Sequence, residues 1–323
     1  MNLKYIVPKK SANLSINQIL KNDIGVSTRL LQKLIGLKKI YLNNEIIDTR
    51  LFCKENDILE IDFSYQEDNS NIVPCKMNLD IVYEDDFLLI VNKPAGIATH
   101  PSCLHFNDSL SNGVKFYFDE INLNKKIRPV NRLDLNTSGL VIFAKNEFIQ
   151  ESLIKQKLKK EYLALATGSF SKKASTIIAP IDRKDNSIIE RCVSEYGKSS
   201  ITHYEVLKDF GDFSFVKCIL ETGRTHQIRV HFAHIGHPLL GDDLYGSKSC
   251  LISRQALHCF KLGFSHPITN ETLVFIAKIP SDFDNIINKM SKSVSRVLSF
   301  KLVIYLGYIL LYISSHAKDF RRL

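Results

Sequence analysis

The first 65 residues carry two short helical patterns followed by strand patterns. Ser27 is placed to cap the second helix, and Gly36 marks its end. Strand patterns follow at residues 40–42, 46–47 and 58–63, with a turn at Asn43 and Asn44. The apolar positions at helical spacing are Ile16, Ile19 and Leu20 in the first helix and Leu30, Leu31 and Leu34 in the second. The pattern predicts a small αβ domain over residues 1–65.

Residues 66–76 are polar, contain Pro74 and show no periodicity, which is typical of a linker. Strand patterns dominate from there to about residue 290, so we expect a mixed α+β domain rather than a doubly wound one. The predicted strands include 139–144, 162–166, 201–207 and 213–221, and the predicted helices are 147–159 and 225–235. The domain boundaries that follow are 1–65, 66–76, 77–290 and an apolar tail at 291–323.

Charge and composition narrow the class of protein. The chain of 323 residues has 43 Lys and Arg against 34 Asp and Glu, a net charge of +9 that suits a polyanionic partner. Seven cysteines without a C-x-x-C pair argue against a disulfide framework or a cysteine zinc site, and indicate reduced thiols. Residues 1–10 lack the apolar run of a signal peptide, so we expect a cytoplasmic protein.

Two dense polar runs carry the candidate chemistry, because motifs such as G-x-G-x-x-G, the P-loop, H-E-x-x-H and G-x-S-x-G are absent. In the first run, residues 128–145, Arg132 and Asp134 lie two apart in an extended segment, so their side chains point the same way while Leu133 faces the core. Asp134 can be a nucleophile, a base or a metal ligand, or a structural partner of Arg132.

The second run, residues 220–246, joins a strand to a helix through Gly223. Ile228, Phe232 and Ile235 form its buried stripe, which leaves His226 and Arg229 on a neighbouring face that a cleft could use. Four histidines invite a metal hypothesis, but their spacing matches no familiar ligand set, so capping or RNA-facing roles are favoured. These histidines are His226, His231, His234 and His237.

Together these runs resemble the pseudouridine synthases of the RluA/RluD family. NRLDLNTSGLVIFAK is similar to the active-site motif of that family, KKEYLALATG to its tyrosine motif, and ETGRTHQIRVHFAHIGHPLLGDDLYG to a third motif. RQALHCFKLGFSHP is similar to its late core segment, and the resemblance covers residues 80–280 in order. The resemblance implies a largely antiparallel catalytic domain and an RNA-modifying isomerase.

The resemblance also implies roles for individual residues. Asp134 matches the catalytic aspartate, Arg132 the arginine that replaces the flipped nucleotide in the stack, and Tyr162 the tyrosine against the target base. Leu257 matches a leucine of the pocket wall. Arg229 and Arg224 are both candidates for the cation that pairs with the aspartate. Asn131 stands where the commonest family form has histidine, which puts proton transfer at that position in doubt.

The front segment resembles the small RNA-binding domain of the ribosomal-protein-S-four type. In that family the second helix and the following turn bind phosphates, which can supply affinity without reading sequence. The resemblance therefore implies phosphate contacts by Arg29, Lys33, Lys38 and Lys39.

We therefore expect an RNA pseudouridine synthase that acts on ribosomal RNA by base flipping, as a monomer, with no cofactor and no metal. A carboxylate can attack the sugar directly or abstract a sugar proton, and the sequence does not choose between these routes. A non-catalytic RNA-binding or ribosome-assembly factor is the alternative. The apolar stretch at 297–313 predicts packing onto the protein or a partner, with membrane anchoring second.

Overall fold

The structure, a computed structural model, describes residues 1–293 of the chain. Residues Met1–Lys278 form one compact unit, and helix α6 (Ser281–Ser293) belongs to a second unit. The predicted packing or anchoring segment at 297–313 lies outside the described residues. Among the residues described, no helix combines the length and apolar character needed to cross a bilayer.

The front segment folds as the sequence predicts, with one added strand. Its four strands form an antiparallel sheet in the order β1-β4-β2-β3. Both helices begin at a serine cap, since Ser15 and Ser27 accept backbone N–H groups of the first turn. The elements are β1 (Asn2–Ile6), α1 (Ile16–Asn22), α2 (Thr28–Gly36), β2 (Ile40–Leu42), β3 (Glu45–Ile46) and β4 (Ile58–Asp62). Strand β1 was not predicted, because it buries only Leu3 and its partner β4 lies more than fifty residues later.

The rest of the compact unit is built on a ten-stranded sheet. Every neighbouring pair is antiparallel except β8 and β15, which are parallel. The strands run in the order β10-β13-β14-β9-β15-β8-β6-β5, with β16 beside β15 and β7 beside β8. These are β5 (Ile81–Glu84), β6 (Leu88–Lys93), β7 (Arg128–Pro129), β8 (Ser138–Ala144), β9 (Lys159–Thr167), β10 (Ala174–Ile178), β13 (Ile201–Asp209), β14 (Phe213–Leu220), β15 (Leu257–Ser265) and β16 (Thr272–Ile276). The expected α+β class with a largely antiparallel sheet is confirmed.

Three helices and a hairpin complete this unit. They are α3 (Leu110–Glu120), α4 (Glu147–Gln156), α5 (Gln227–His234) and the hairpin of β11 (Ile181–Arg183) and β12 (Arg191–Val193). Helix α4 begins at the predicted residue, capped by Asn146, but it ends at Gln156 rather than at 159 because Lys157 adopts the left-handed conformation. The sequence did not predict α3 or the hairpin.

Strand β8 fixes the loop that precedes it. All seven of its residues are buried, and Gly139 has φ 121° against the backbone of Cys259 on β15. A Cβ at Gly139 would lie 2.2 Å from the carbonyl oxygen of Cys259, so this close approach of the two strands requires glycine. The loop before β8, residues 130–137, is thereby held against the start of β15.

Residues 66–76 have no helix or strand, yet they contain a buried carboxylate. Glu67 accepts hydrogen bonds from both Nη atoms of Arg128 at 2.6 and 2.8 Å, and from Lys33 Nζ at 2.9 Å. The segment therefore packs against the front helix α2 and strand β7. The division into domains at these residues stays a prediction.

Candidate active site

An open cleft of about 610 Å³ lies beside the loop before β8. Its walls are the 98–102 loop, residues 130–135, the end of α4 and the loop that leads into α5. The lining includes Asp134 of the first polar run, Arg224 and His226 of the second, and Tyr162. The polar runs recognised in the sequence thus meet at one place.

Asp134 is presented by a braced loop. Leu133 beside it is buried, and its N–H and carbonyl both bond the hydroxyl of Thr99, at 3.1 and 3.0 Å. The Asp134 carbonyl accepts the N–H of Thr137 at 3.0 Å, which closes the turn before β8. Arg132 is exposed in the wall of the cleft. As predicted, Leu133 points inward while its two neighbours line the cleft.

Arg229 is the arginine that faces the carboxylate. Its Nη1 lies 3.4 Å from Asp134 Oδ2, while Nε and Nη2 donate to the two oxygens of the fully buried Asp242 at 2.7 and 2.8 Å. Burial by itself would lower the pKa of Arg229, but Asp242 and Asp134 outweigh it and raise that pKa. Arg229 is therefore a permanent cation beside Asp134.

Arg224, the other candidate, occupies a different position. It is exposed, and its Nε donates to the carbonyl of Ser199 at 3.2 Å. Of the two arginines considered, the structure pairs Arg229 with Asp134 and leaves Arg224 in the cleft wall.

Tyr162 and Leu257 come from adjacent strands of the sheet. Tyr162 on β9 pairs in register with Cys259 of β15, and Leu257 lies two residues before Cys259 on β15. Tyr162 and Leu257 therefore line the same pocket. Tyr162 and Leu257 have only 6% and 4% of their surface exposed. Burial, with Cys259 and Asp134 nearby, raises the pKa of Tyr162 well above its ordinary value, so its phenol stays protonated at neutral pH.

Asn131 is a structural residue in this chain. Its Nδ2 donates to the carbonyl of Leu140 at 3.0 Å, and its Oδ1 accepts the N–H of Ile142 at 2.9 Å. The side chain is buried and binds the backbone of β8 in place of a neighbouring strand. Asn131 belongs to the stretch that lines the cleft, but both ends of its amide are bound to the β8 backbone, which agrees with the doubt about proton transfer at this residue.

Several residues that support the site were not predicted from the sequence. Lys93 is fully buried and donates to the carbonyl oxygens of Pro94, Ile97 and Leu135 at 2.7–3.0 Å. Burial lowers the pKa of Lys93 to about 7, partly opposed by Asp134. Asp242 was also missed, although a buried arginine requires a carboxylate partner and the GDDLYG segment offers two.

The other histidines of the second run have local partners. His231 is fully buried between the hydroxyl of Thr202 and the carbonyl of Ala179, each 2.9 Å away. His237 stacks on Phe170 with ring centroids 3.8 Å apart. His234 is an exposed residue at the end of α5. These contacts indicate structural roles for His231 and His237.

Of the four cations proposed to contact phosphates in the front segment, two bind carboxylates of the protein and two are exposed. Lys33 bonds Glu67 and Glu147, and Lys39 bonds Asp62 at 2.6 Å. Arg29 and Lys38 are exposed. The proposed phosphate contacts are therefore narrowed to Arg29 and Lys38.

Comparison with known proteins gives the family. Residues 87–234 match the RNA pseudouridylate synthase family. The uncharacterized RNA pseudouridine synthase YhcT of Bacillus subtilis is 38% identical over 290 residues, which cover 88% of this chain and 96% of that protein. The chain belongs to the RNA pseudouridine synthase family. It is therefore an enzyme that acts on RNA.

Two further relatives bear on substrate and fold. The ribosomal large subunit pseudouridine synthase D of Neisseria meningitidis serogroup B is 39% identical over 241 residues, 69% of this chain and 64% of that protein. The structure of human RNA pseudouridylate synthase domain containing 1 is 27% identical and covers 66% of this chain and 95% of that one, with a TM-score of 0.53. The fold is that of a pseudouridine synthase.

Proposed function

We propose that this enzyme isomerises specific uridines of large-subunit ribosomal RNA in the cytoplasm, with Asp134 as the catalytic residue. The observation that carries the proposal is the carboxylate of Asp134 in an open cleft, 3.4 Å from a buried arginine. Similarity to enzymes named for the ribosomal large subunit, such as that of Haemophilus influenzae at 35% identity over 242 residues, supports the RNA class.

Breaking the bond between uracil N1 and the anomeric carbon requires an ionised carboxylate. Asp134 can attack that carbon directly or remove a proton from the neighbouring sugar carbon, and both routes need its negative charge. The permanent cation of Arg229 stabilises this charge, because opposite charges a few ångströms apart attract more strongly at a partly buried site than in bulk water. Asp242 keeps Arg229 aimed at the site.

After the base rejoins through carbon five, that carbon must lose its proton. Tyr162 lies beside Asp134 with a protonated phenol, so its ring can pack against the base. Its hydroxyl can take up the carbon-five proton while it gives its own proton to an acceptor, and the Asp134 carboxylate, which is free again once the base has rejoined, is such an acceptor. Leu257 supplies an apolar wall for the same pocket.

The target uridine must leave the RNA stack to reach Asp134. Flipping a nucleotide costs a few kcal/mol, and the exposed guanidinium of Arg132 can fill the gap by stacking on the neighbouring bases. The front segment, proposed as an S-four-type RNA-binding domain, would add phosphate contacts through Arg29 and Lys38.

Pseudouridine-specific chemical mapping of RNA tests the proposal. A strain that lacks this gene should lose pseudouridine at one or a few large-subunit sites, and expression of the wild-type chain should restore them. Loss confined to transfer RNA would contradict the ribosomal substrate, and an unchanged map in every RNA would contradict the proposed activity.

A further inference from the structure

His226 adopts an unusual backbone conformation at the edge of the active site. It lies just before α5 with φ 59° and ψ 17°, the left-handed region that few non-glycine residues occupy. Such conformations cost about 1 kcal/mol or more and persist where the surroundings impose them. The imidazole is mostly buried and forms part of the cleft wall.

The neighbouring side chain holds this conformation. Gln227 is buried, and its Oε1 accepts both the hydroxyl of Thr222 and the N–H of Arg224 at 2.9 Å. Its Nε2 donates to the carbonyl of Ile201 and the hydroxyl of Thr202 at 3.0 Å. All hydrogen-bonding atoms of this amide are satisfied, so the loop before α5 has one preferred arrangement.

Hydrogen bonds to Tyr245 assign the tautomer of His226. The Tyr245 hydroxyl oxygen accepts the N–H of Arg191 at 2.8 Å and lies 2.8 Å from His226 Nδ1. If Nδ1 carried the proton, the hydroxyl would accept twice and its own proton would have no acceptor among the contacts described. With Tyr245 as donor, both the Tyr245 hydroxyl and His226 Nδ1 are matched, so we assign the proton of the neutral imidazole to Nε2. Burial lowers the pKa of His226, which keeps the ring neutral.

That Nε2–H is on the side of the catalytic carboxylate. Nε2 lies 3.9 Å from Asp134 Oδ1, while Arg229 Nη1 lies 3.4 Å from the other oxygen, Oδ2. A carboxylate rotates easily about its last torsion angle, and one cation on one oxygen does not fix its plane. A second donor on the other oxygen fixes the plane of the carboxylate.

We infer that His226 is a positioning residue that orients the Asp134 carboxylate, with Tyr245 setting its tautomer. The inference rests on the proposed role of Asp134. The 3.9 Å separation is longer than a hydrogen bond, and the inference is that it closes to hydrogen-bond distance when RNA binds, as contacts in active sites commonly do.

Two substitutions at His226 separate positioning from a purely structural role. Asn suits the left-handed backbone and places its amide near the position of Nδ1, so His226→Asn should fold well but cannot reach Asp134. Gln is one methylene longer, and in His226→Gln an amide N–H can reach the position of Nε2. A positioning role predicts that Gln retains more activity than Asn, whereas a backbone role predicts the reverse.

The measurements are kcat and KM on the RNA that the wild type modifies, with thermal unfolding to confirm folding. We expect His226→Asn to lower kcat by about tenfold or more with KM within about twofold, because misplaced reacting groups cost up to about a hundredfold. His226→Gln should lie closer to wild type, and Tyr245→Phe should also lower kcat. His234→Asn, an exposed histidine of α5, is the matched control and should match wild type.

The outcomes distinguish this inference from the proposed function. If Asp134→Asn is inactive but His226→Asn is as active as His226→Gln, or more so, the positioning role is wrong and the proposed function stands. An unchanged kcat in Tyr245→Phe contradicts the tautomer assignment. If Asp134→Asn itself turns over normally, the proposed function fails first.

Discussion

A chain of buried charges defines the site at the scale of single residues. Asp242 has no exposed surface and binds Arg229 through two hydrogen bonds, so the arginine keeps one nitrogen for Asp134. Removing one partner from such a buried pair costs about 3 kcal/mol or more, since a charge is left without compensation. The arrangement is therefore rigid, and the negative charge of Asp134 meets a fixed cation.

Tyr162→Phe separates the ring of this residue from its hydroxyl. The ring should still pack against the base, so RNA affinity should stay within about threefold of wild type, while turnover falls by about a hundredfold because proton transfer is lost. Steady-state kinetics and a binding assay measure both. Tyr117→Phe, whose hydroxyl bonds Glu84, is the control. Unchanged turnover in Tyr162→Phe would show that the hydroxyl has no part in the reaction.

Arg132→Ala should slow the reaction by making base flipping less favourable. Because flipping costs only a few kcal/mol, some activity should persist. An RNA in which the target uridine is already unstacked should recover part of the lost rate in single-turnover experiments. Equal losses on stacked and unstacked substrates would contradict a flipping role for Arg132.

At the scale of elements, the front segment and the sheet are joined by a polar cluster. Glu67 bonds Lys33 on α2 and Arg128 on β7, and Lys125 donates to the carbonyl oxygens of Phe63 and Tyr65. The Ser27 hydroxyl, at the start of α2, donates to Glu151 of α4 at 3.1 Å. Ile154, one helical turn after Glu151, lines the cleft. The start of α2 is thus fixed near the cleft.

Glu67→Gln should destabilise the protein by about 3 kcal/mol, because Arg128 loses its buried partner. Despite burial, bonds from Arg128 and Lys33 lower the pKa of Glu67 from 4.5 to about 2. A lowered carboxyl pKa gives stability that is present above pH 4.5 and is lost as the pH falls towards 2. In denaturant titrations, the difference between wild type and variant should therefore be smaller at pH 3 than at pH 7.

Glu205→Gln is the matched control for this experiment. Glu205 pairs with Lys217 but is about half exposed, and exposed pairs contribute at most about 1 kcal/mol. If Glu67→Gln costs no more than this control at pH 7, the cluster does not hold the front segment in place.

Elements with a local signal were predictable from the sequence. The serine cap and apolar spacing of α2 and the continuous apolar run of β8 predict the bounds of these two elements to within a few residues. Strand β1 depends on a distant partner, and the end of α4 depends on the left-handed Lys157. The choice between Arg224 and Arg229 also depends on a contact between distant residues, because only the folded chain brings Asp242 into hydrogen-bond distance of Arg229.

At the scale of the whole molecule, the net charge of +9 favours association with RNA. The cations that remain exposed on α2 and just after it are Arg29 and Lys38, while Lys33 and Lys39 bind carboxylates of the protein. The front segment is therefore expected to supply affinity rather than chemistry.

The double variant Arg29→Ala, Lys38→Ala should weaken RNA binding and flatten its dependence on salt. Each lost phosphate contact removes about 0.7 to 0.9 from the slope of log affinity against log salt. Single-turnover rates at saturating enzyme should match wild type. Lys9→Ala with Lys10→Ala, which removes the same charge from another exposed part of the front segment, is the control. Identical slopes for the two double variants would contradict the assignment of the phosphate contacts.

The central claim is that the negative charge of Asp134 breaks the glycosidic bond, and Asp134→Asn tests it most directly. The amide keeps the size and hydrogen-bonding capacity of the carboxylate but removes its charge. Pseudouridine formation should be abolished in a single-turnover assay with the RNA that the wild type modifies, while RNA affinity stays within about tenfold, or 1.4 kcal/mol. Near-normal turnover by Asp134→Asn on that RNA would contradict the account.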